Sequence, residues 1–136
     1  MNPRIISGAL AITAVVNVSA GCAALALPDL NTRLLIGPDV ELEGLLLRYH
    51  YLIWLMVLAM GAGFAVAARN PEQQSGLILS AALGKLCAVA LWVEMMMAGM
   101  GTWMLLGGIV FDGTLGLLFL GYAATLLLGR QRGEGA

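Results

Sequence analysis

Six residues with a charged, imidazole or amide side chain lie within otherwise apolar stretches of the sequence, where such side chains could bind a polar group or transfer a proton. Ionisable side chains are costly in an apolar surrounding, so they normally face the interior of a helix bundle or a wet cavity and take partners. The six are therefore candidates for a polar core or a ligand-binding site, and the pattern assigns no catalytic role to any of them. They are Asn17, Arg48, His50, Lys85, Glu94 and Asp112.

Chemistry that needs clusters of cysteine or histidine is excluded within one chain. Cys22 and Cys87 are the only cysteines, and they are too few and too far apart for a CxxC redox pair, a thiolate zinc site or an iron–sulfur cluster. His50 is the only histidine, so a haem with two imidazole ligands would have to share them with another chain. We predict no metal site and no resident cofactor.

The composition indicates that lipid covers much of the surface of this protein. Of the 136 residues, 60% are hydrophobic and only 11% are charged, and the mean hydropathy is +0.90. A soluble domain of this length needs a more highly charged exterior. The formal net charge of −1 also lacks the basic face that nucleic-acid binding requires, so we predict the lipid bilayer as a partner and no nucleic acid.

Four stretches are long enough to cross the hydrocarbon of a bilayer, which takes about 20 apolar residues as a helix. Helix-ending residues separate them, such as Pro28 after the first and Pro71 after the second. The sequence therefore predicts an all-α polytopic membrane protein, a bundle of four transmembrane helices that forms a single domain over 1–136. The predicted spans are Ile5–Leu27, Gly44–Ala68, Gly76–Ala98 and Met104–Leu128.

The distribution of basic residues predicts the direction of the four spans. Cytoplasmic loops carry the excess of Lys and Arg. On one side of the predicted bundle only Arg33 is basic, whereas the other side carries Arg4, Arg69, Arg130 and Arg132. We therefore expect both termini to be cytoplasmic, the loop 28–43 to face outward, and the protein to lie in the inner (plasma) membrane of the cell.

Depth within the membrane predicts how the buried charges pair. At about 1.5 Å per residue from the outer end, Arg48 lies at ~6 Å and Glu94 at ~6–8 Å, while Asp112 lies at ~12 Å and Lys85 at ~16 Å. We therefore expect one pair between Arg48 and Glu94 and another between Lys85 and Asp112. Paired charges can also simply specify how helices dock, without binding a ligand.

The remaining polar candidates are expected to support this core. Asn17 falls near the middle of the first span and is expected to cap the pair of Lys85 and Asp112. His50 lies near the membrane interface, where a solvated or hydrogen-bonded imidazole is favoured over a ligand or a proton relay.

Small residues at four-residue spacing indicate where helices approach closely in lipid. The third span carries such a stripe, formed by Gly76, Ser80, Gly84 and Ala88. The pattern predicts that this stripe is a contact face within the bundle.

The segments Ala68-Arg69-Asn70-Pro71-Glu72 and Gly84-Lys85-Leu86, followed by Asp112 in the last span, resemble the small four-helix membrane proteins grouped as DoxX-like. Named members of that group accompany thiosulfate oxidation with electron transfer to quinone. The resemblance implies a site for a quinone, a lipid or another hydrophobic molecule, with Lys85 and Asp112 as polar-core residues. No cysteine redox motif supports thiosulfate chemistry in this chain.

The sequence is compatible with three functions. The first is a non-catalytic subunit or assembly partner of a membrane complex, or a homo-oligomer, because the chain is small and has no catalytic constellation. The second is a DoxX-like binding protein for a quinone, lipid or other hydrophobic ligand linked to redox metabolism. The third, which ranks last, is a small proton-coupled transporter, since intramembrane carboxylates are the usual coupling groups.

Overall fold

The computed structural model describes residues 2–133, with side chains as far as residue 128. All of its regular elements are helical, and they are α1 (Pro3–Ala26), α2 (Pro28–Leu35), α3 (Gly44–Ala67), a single 3₁₀ turn (Pro71–Gln73), α4 (Ser75–Met97) and α5 (Trp103–Gly133). Helices α1, α3, α4 and the part of α5 up to Leu128 are long and apolar enough to cross a membrane. The predicted all-α bundle with four spans is confirmed, and this is a multi-pass membrane protein.

The predicted ends of the spans differ from those of the helices by one or two residues where the chain turns, and α5 continues beyond its apolar part. The side chains of Arg130 and Arg132, on which the predicted orientation partly rests, lie outside the described ones. The cytoplasmic location of the termini stays a prediction.

Local sequence explains where the helices begin and end. The side chain of Asn2 accepts a hydrogen bond from the backbone N–H of Arg4 and so caps α1, whose first residue is Pro3. Pro28 cannot donate a backbone hydrogen bond, so it ends α1 and begins α2. Gly99 and Gly101 adopt positive φ angles of 76° and 102°, which reverses the chain between α4 and α5.

The loop 28–43 contains a helix that the sequence analysis did not predict. Helix α2 ends at Leu35, and its last carbonyl groups accept hydrogen bonds from the turn between α4 and α5. The backbone N–H of Gly101 donates to Ile36, that of Thr102 donates to Leu35, and the Thr102 hydroxyl donates to Leu34. These bonds satisfy the free carbonyls of a helix end and join the two loops at this end of the bundle. We call it the loop end.

The transmembrane helices pack as two close pairs, α1 with α3 and α4 with α5, with far fewer contacts between the pairs. Glycines allow each pair to approach closely. A Cβ atom added to Gly61 of α3 would lie 2.9 Å from the Val18 side chain of α1, and one added to Gly116 of α5 would lie 3.0 Å from Leu86 of α4. Such small residues are what brings helix backbones together in lipid.

The main core lies at the opposite end of the bundle, near the N-terminus and the turn between α3 and α4. We call this the termini end. The rings of Phe64 on α3 and Phe119 on α5 meet there with centroids 6.1 Å apart. The other buried members come from all four long helices and include Ile6, Leu10, Ala67, Ile78, Ala82 and Tyr122. All four helices therefore meet at the termini end, and the two pairs are bound mainly there.

The predicted contact face on the third span is wrong for most of its length. Gly76, Ser80 and Gly84 are exposed, and nothing lies within 4 Å of a Cβ atom added to either glycine. Helix α4 instead contacts α5 through the side that carries Ala82, Leu86 and Val89. The stripe thus faces outward because α4 takes α5, and not α3, as its main neighbour.

Candidate functional site

The Lys85 ammonium group and the Asp112 carboxylate form an ion pair between α4 and α5. Only 8% of the Lys85 side chain and 17% of the Asp112 side chain are exposed, so both charges lie largely inside the protein. The predicted pairing of these two residues is confirmed. Its physical basis is that each charge, once removed from water, needs the other to offset its loss of hydration.

An aromatic ring supports the lysine of this pair. The Lys85 Nζ atom lies 5.6 Å from the centroid of the Phe111 ring, within the range of a cation–π contact. Phe111 precedes Asp112 on α5, so one turn of that helix supplies both the anion and the ring. The arrangement holds α4 and α5 in register near the middle of the membrane.

The predicted pair between Arg48 and Glu94 is wrong. Both side chains are exposed, and neither forms an ion pair among the side chains described. Glu94 follows Lys85 by nine residues, which places it about half a turn away from the α5 contact. Arg48 likewise lies roughly opposite His50, which faces α1. The two charges point outward because each helix turns its other side to its close neighbour.

The predicted role of Asn17 as a cap on the Lys85–Asp112 pair is also wrong. Asn17 is half-buried in the other helix pair, where a Cβ atom added to Gly61 would lie 3.1 Å from the Asn17 Cβ atom. The ion pair lies between α4 and α5, and α1 makes few contacts with α5. Depth alone placed these groups together, whereas the pairing of the helices separates them.

His50 has a hydrogen-bonded structural position. Its Nε2 atom lies 3.1 Å from the carbonyl oxygen of Ala24, near the end of α1. That carbonyl would normally accept from the backbone four residues later, which is Pro28 and has no N–H. The imidazole therefore carries its proton on Nε2 and donates it to this free carbonyl. The expected hydrogen-bonded imidazole is confirmed, and its partner was not foreseen.

Two further polar features were missed by sequence reasoning. The Ser7 hydroxyl donates to the carbonyl of Ala68, at the end of α3, and so joins α1 to α3 at the termini end. The hydroxyl of Tyr122 is buried without a hydrogen-bond partner among the described residues, and Tyr122 is only 2% exposed. Neither role has a signal in the sequence, since both depend on which helix lies opposite.

An open apolar groove of about 820 Å³ runs between α1 and α5. Two lining side chains carry a hydrogen-bond donor, the hydroxyl of Thr114 and the indole N–H of Trp103. The Thr114 hydroxyl donates to the Val110 carbonyl of its own helix. The groove passes Phe111, whose ring also contacts Lys85, so the ion pair lies close to one wall. The lining residues are Ala9, Ile12, Trp103, Leu106, Gly107, Val110, Phe111, Thr114 and Leu115.

The described residues contain no group of three histidine, cysteine, aspartate or glutamate side chains that could hold a metal ion. Cys22 and Cys87 are both exposed, free thiols on different helices. Among the described residues, the charged groups inside the spans are therefore the Lys85–Asp112 ion pair and the outward-facing Arg48 and Glu94, beside the hydrogen-bonded imidazole of His50 and the apolar groove.

Comparison with known proteins gives no relative for this chain. No protein-family model matches it, and neither a curated protein nor a solved structure is similar to it. The resemblance to DoxX-like proteins stays a prediction, and the structure of the spans is the basis for proposing a function.

Proposed function

We propose that this protein is a non-catalytic subunit or assembly partner of a complex in the inner (plasma) membrane. The observation that carries the proposal is the exposed face of α4, on the side away from α5. Small side chains dominate this face, which also carries the charge of Glu94. Its residues, spaced alternately four and three apart, are Gly76, Ser80, Leu83, Cys87, Ala90 and Glu94, and all are exposed.

The chemistry of this face suits a protein neighbour better than lipid. Lipid chains gain nothing from small residues, whereas a second helix can approach their backbone closely and gain van der Waals contact. A charge near the end of a span is also better satisfied by a partner's side chain than by hydrocarbon. The outward-facing Arg48 on α3 adds a second charge near the end of a span that forms no ion pair among the described side chains.

The test compares two glycine variants that should affect the isolated fold equally. Gly84 borders this face, one turn after Ser80. Gly84 and Gly8 on α1 are both exposed, with nothing within 4 Å of an added Cβ atom. Tagged protein carrying Gly84→Leu or Gly8→Leu would be solubilised gently from native membranes and analysed by native mass spectrometry.

We expect the wild type and Gly8→Leu to be recovered in an assembly larger than one chain, and Gly84→Leu to be recovered mainly alone. Recovery of the wild-type protein as a single chain would overturn the proposal. Equal assembly of the two variants would also contradict it, because the α4 face would then have no part in the complex.

The groove between α1 and α5 favours a second candidate function, the binding of a hydrophobic ligand. A quinone headgroup needs hydrogen-bond donors for its carbonyl oxygens. The Thr114 hydroxyl is already engaged, which leaves the indole N–H of Trp103 as the donor among the lining side chains, and the rest of the lining is apolar. A lipid acyl chain fits these surroundings better, since it requires only apolar contact.

Gly107 provides a direct test of this second candidate. It lines the groove, and nothing lies within 4 Å of an added Cβ atom, so Gly107→Phe should fill the groove without disturbing the helices. Mass spectrometry of protein released from nanodiscs should then show loss of a bound lipid relative to Gly8→Phe. Equal lipid retention by the two variants, or no bound lipid in the wild type, would rule this function out.

A further inference from the structure

Arg48 and Glu94 lie at nearly the same depth in the membrane and carry opposite charges. Arg48 is four residues from the start of α3 and Glu94 is three residues from the end of α4, which places them ~6 Å and ~5 Å from the loop end. Both are exposed, and neither is paired among the described side chains. Arg48 therefore needs an anionic partner at this depth and Glu94 needs a cationic one, so each residue has the charge that the other lacks.

The two charges lie on the same side of the bundle. Arg48 is on the side of α3 away from α1, and Glu94 is on the side of α4 away from α5. The segment 68–74 joins α3 to α4, and the Leu77 side chain lies 3.7 Å from where a Cβ atom on Gly63 would stand, so these two helices are neighbours across the two pairs. Their outward sides therefore adjoin at the termini end, and we call the surface formed by these two sides the α3–α4 face.

We propose that a second copy of this chain covers the α3–α4 face, with Arg48 of each copy paired to Glu94 of the other. This rests on the proposed function and names the partner. A two-fold axis along the membrane normal would place α3 of one copy beside α4 of the other, antiparallel and at equal depth. Such closed two-fold dimers are the commonest symmetric assemblies.

Side-chain size along the two helices supports this pairing. Because residues at equal depth meet, four of the five layers below the charges set a larger side chain against a smaller one, and the layer of Ala62 and Ser80 sets two small side chains together. The exposed residues of α3 that repeat at four-and-three spacing from Arg48 are Leu52, Leu55, Ala59, Ala62 and Val66. In the same order, they would face Ala90, Cys87, Leu83, Ser80 and Gly76 of the second copy.

This match gives the surface both shape and charge complementarity. Leu52 and Leu55 would fill the space beside Ala90 and Cys87, and Leu83 would fill that beside Ala59. Close packing of this kind is the main source of helix association in lipid. The two reciprocal ion pairs would fix the register, since a shift along the helices would separate every charge from its partner.

The test uses charge reversal in the full-length protein, reconstituted in lipid vesicles, with dimerisation measured by energy transfer between labelled copies. Arg48→Glu and Glu94→Arg each place like charges together in a homodimer. Each should therefore raise the dissociation constant by roughly tenfold to a hundredfold. The double variant restores both pairs and should dimerise within about twofold of the wild type. Arg4→Glu, an exposed charge outside this face, serves as the control.

Mixing the two single variants separates a pair between chains from a pair within one chain. A copy carrying Arg48→Glu and a copy carrying Glu94→Arg complement each other at both ends of the interface. The mixture should therefore dimerise at protein densities at which each variant alone is mainly monomeric. Absence of dimerisation in the mixture would overturn the proposal even if the double variant is rescued, since rescue within one chain would then explain the data.

The native thiol of Cys87 provides an independent readout. In the proposed dimer it faces Leu55 of the other copy, so Leu55→Cys should form an interchain disulfide on mild oxidation in a Cys22→Ser background. Val15→Cys on α1 serves as the control, because Val15 is more exposed than Leu55 but lies outside the α3–α4 face, and it should form no such disulfide. Equal cross-linking of the two variants would contradict the proposed surface.

The two proposals fail in different ways. A wild-type protein that is monomeric in vesicles, yet is recovered from native membranes in a complex that Gly84→Leu disrupts, would overturn the second copy and leave the proposed function standing. A native complex that Gly84→Leu does not disturb would instead overturn the proposed function.

Discussion

The ion pair between Lys85 and Asp112 should make each residue strongly dependent on the other for stability. Lys85→Met would leave the Asp112 carboxylate with 17% of its side chain exposed and no cation beside it. Removal of one partner from a buried pair typically costs about 3–5 kcal/mol, and an unpaired aspartate in the middle of a span costs a comparable ~3 kcal/mol by insertion scales. We therefore expect Lys85→Met to destabilise the protein by about 3 kcal/mol.

The reverse change should cost less. Asp112→Leu leaves Lys85 unpaired, but the long lysine side chain can reach toward the membrane surface and can keep its contact with the Phe111 ring. We expect a loss of about 1–3 kcal/mol for this variant. The double variant removes both charges and should lie within about 1 kcal/mol of the wild type, because a buried pair contributes little relative to apolar residues of similar size.

The measurement is the free energy of unfolding in bicelles. The wild type, Lys85→Met, Asp112→Leu and the double variant together form a double-mutant cycle. The expected coupling between the two positions is at least about 2 kcal/mol. Arg4→Ala, at an exposed position, controls for a general effect of charge on the assay. Additive costs in the double variant, or a cost below about 1 kcal/mol for Lys85→Met, would show instead that the two charges are solvated and do not stabilise each other.

Three further changes test the remaining contacts by the same measurement. His50→Phe leaves the Ala24 carbonyl without a donor and should cost about 1–3 kcal/mol, whereas His50→Gln retains a donor and should cost less; equal losses would show that this bond is not the cause. Tyr122→Phe removes a buried hydroxyl that has no partner among the described residues, so stability should stay unchanged or rise by about 1 kcal/mol, and a loss would reveal a partner. Gly61→Leu would meet Val18 and should cost about 1–3 kcal/mol, whereas Gly8→Leu should be nearly neutral; similar stabilities would contradict close packing of α1 on α3.

Much of the fold could be predicted because membrane insertion is governed by local properties of the chain. Apolar length defines a span, and proline and glycine end it, so all four long helices were predicted to within a few residues. Helix α2 was missed because its eight residues, Pro28–Leu35, carry no long apolar run. Its position depends on hydrogen bonds to Gly101 and Thr102, which are distant in sequence.

The contacts of the candidate site could be predicted from the sequence only in part. Depth follows from counting residues, so the pairing of Lys85 with Asp112 could be predicted, as these two groups lie on neighbouring helices that face each other. The same count paired Arg48 with Glu94 and placed Asn17 beside the ion pair, and both expectations were wrong. Depth says how far along the membrane normal a group lies, but not which way it points around its helix.

The linear order of residues determines that this chain enters a membrane, how many helices it forms and at what level each charge lies. These are properties of one helix and its solvent, and they require no knowledge of its neighbours. The choice of neighbours is decided in three dimensions, where α1 packs on α3 and α4 on α5 through the closest fit of glycines and side chains. That choice buries Lys85 and Asp112 together and turns Arg48 and Glu94 outward, because a helix can present only one side to the helix it packs against.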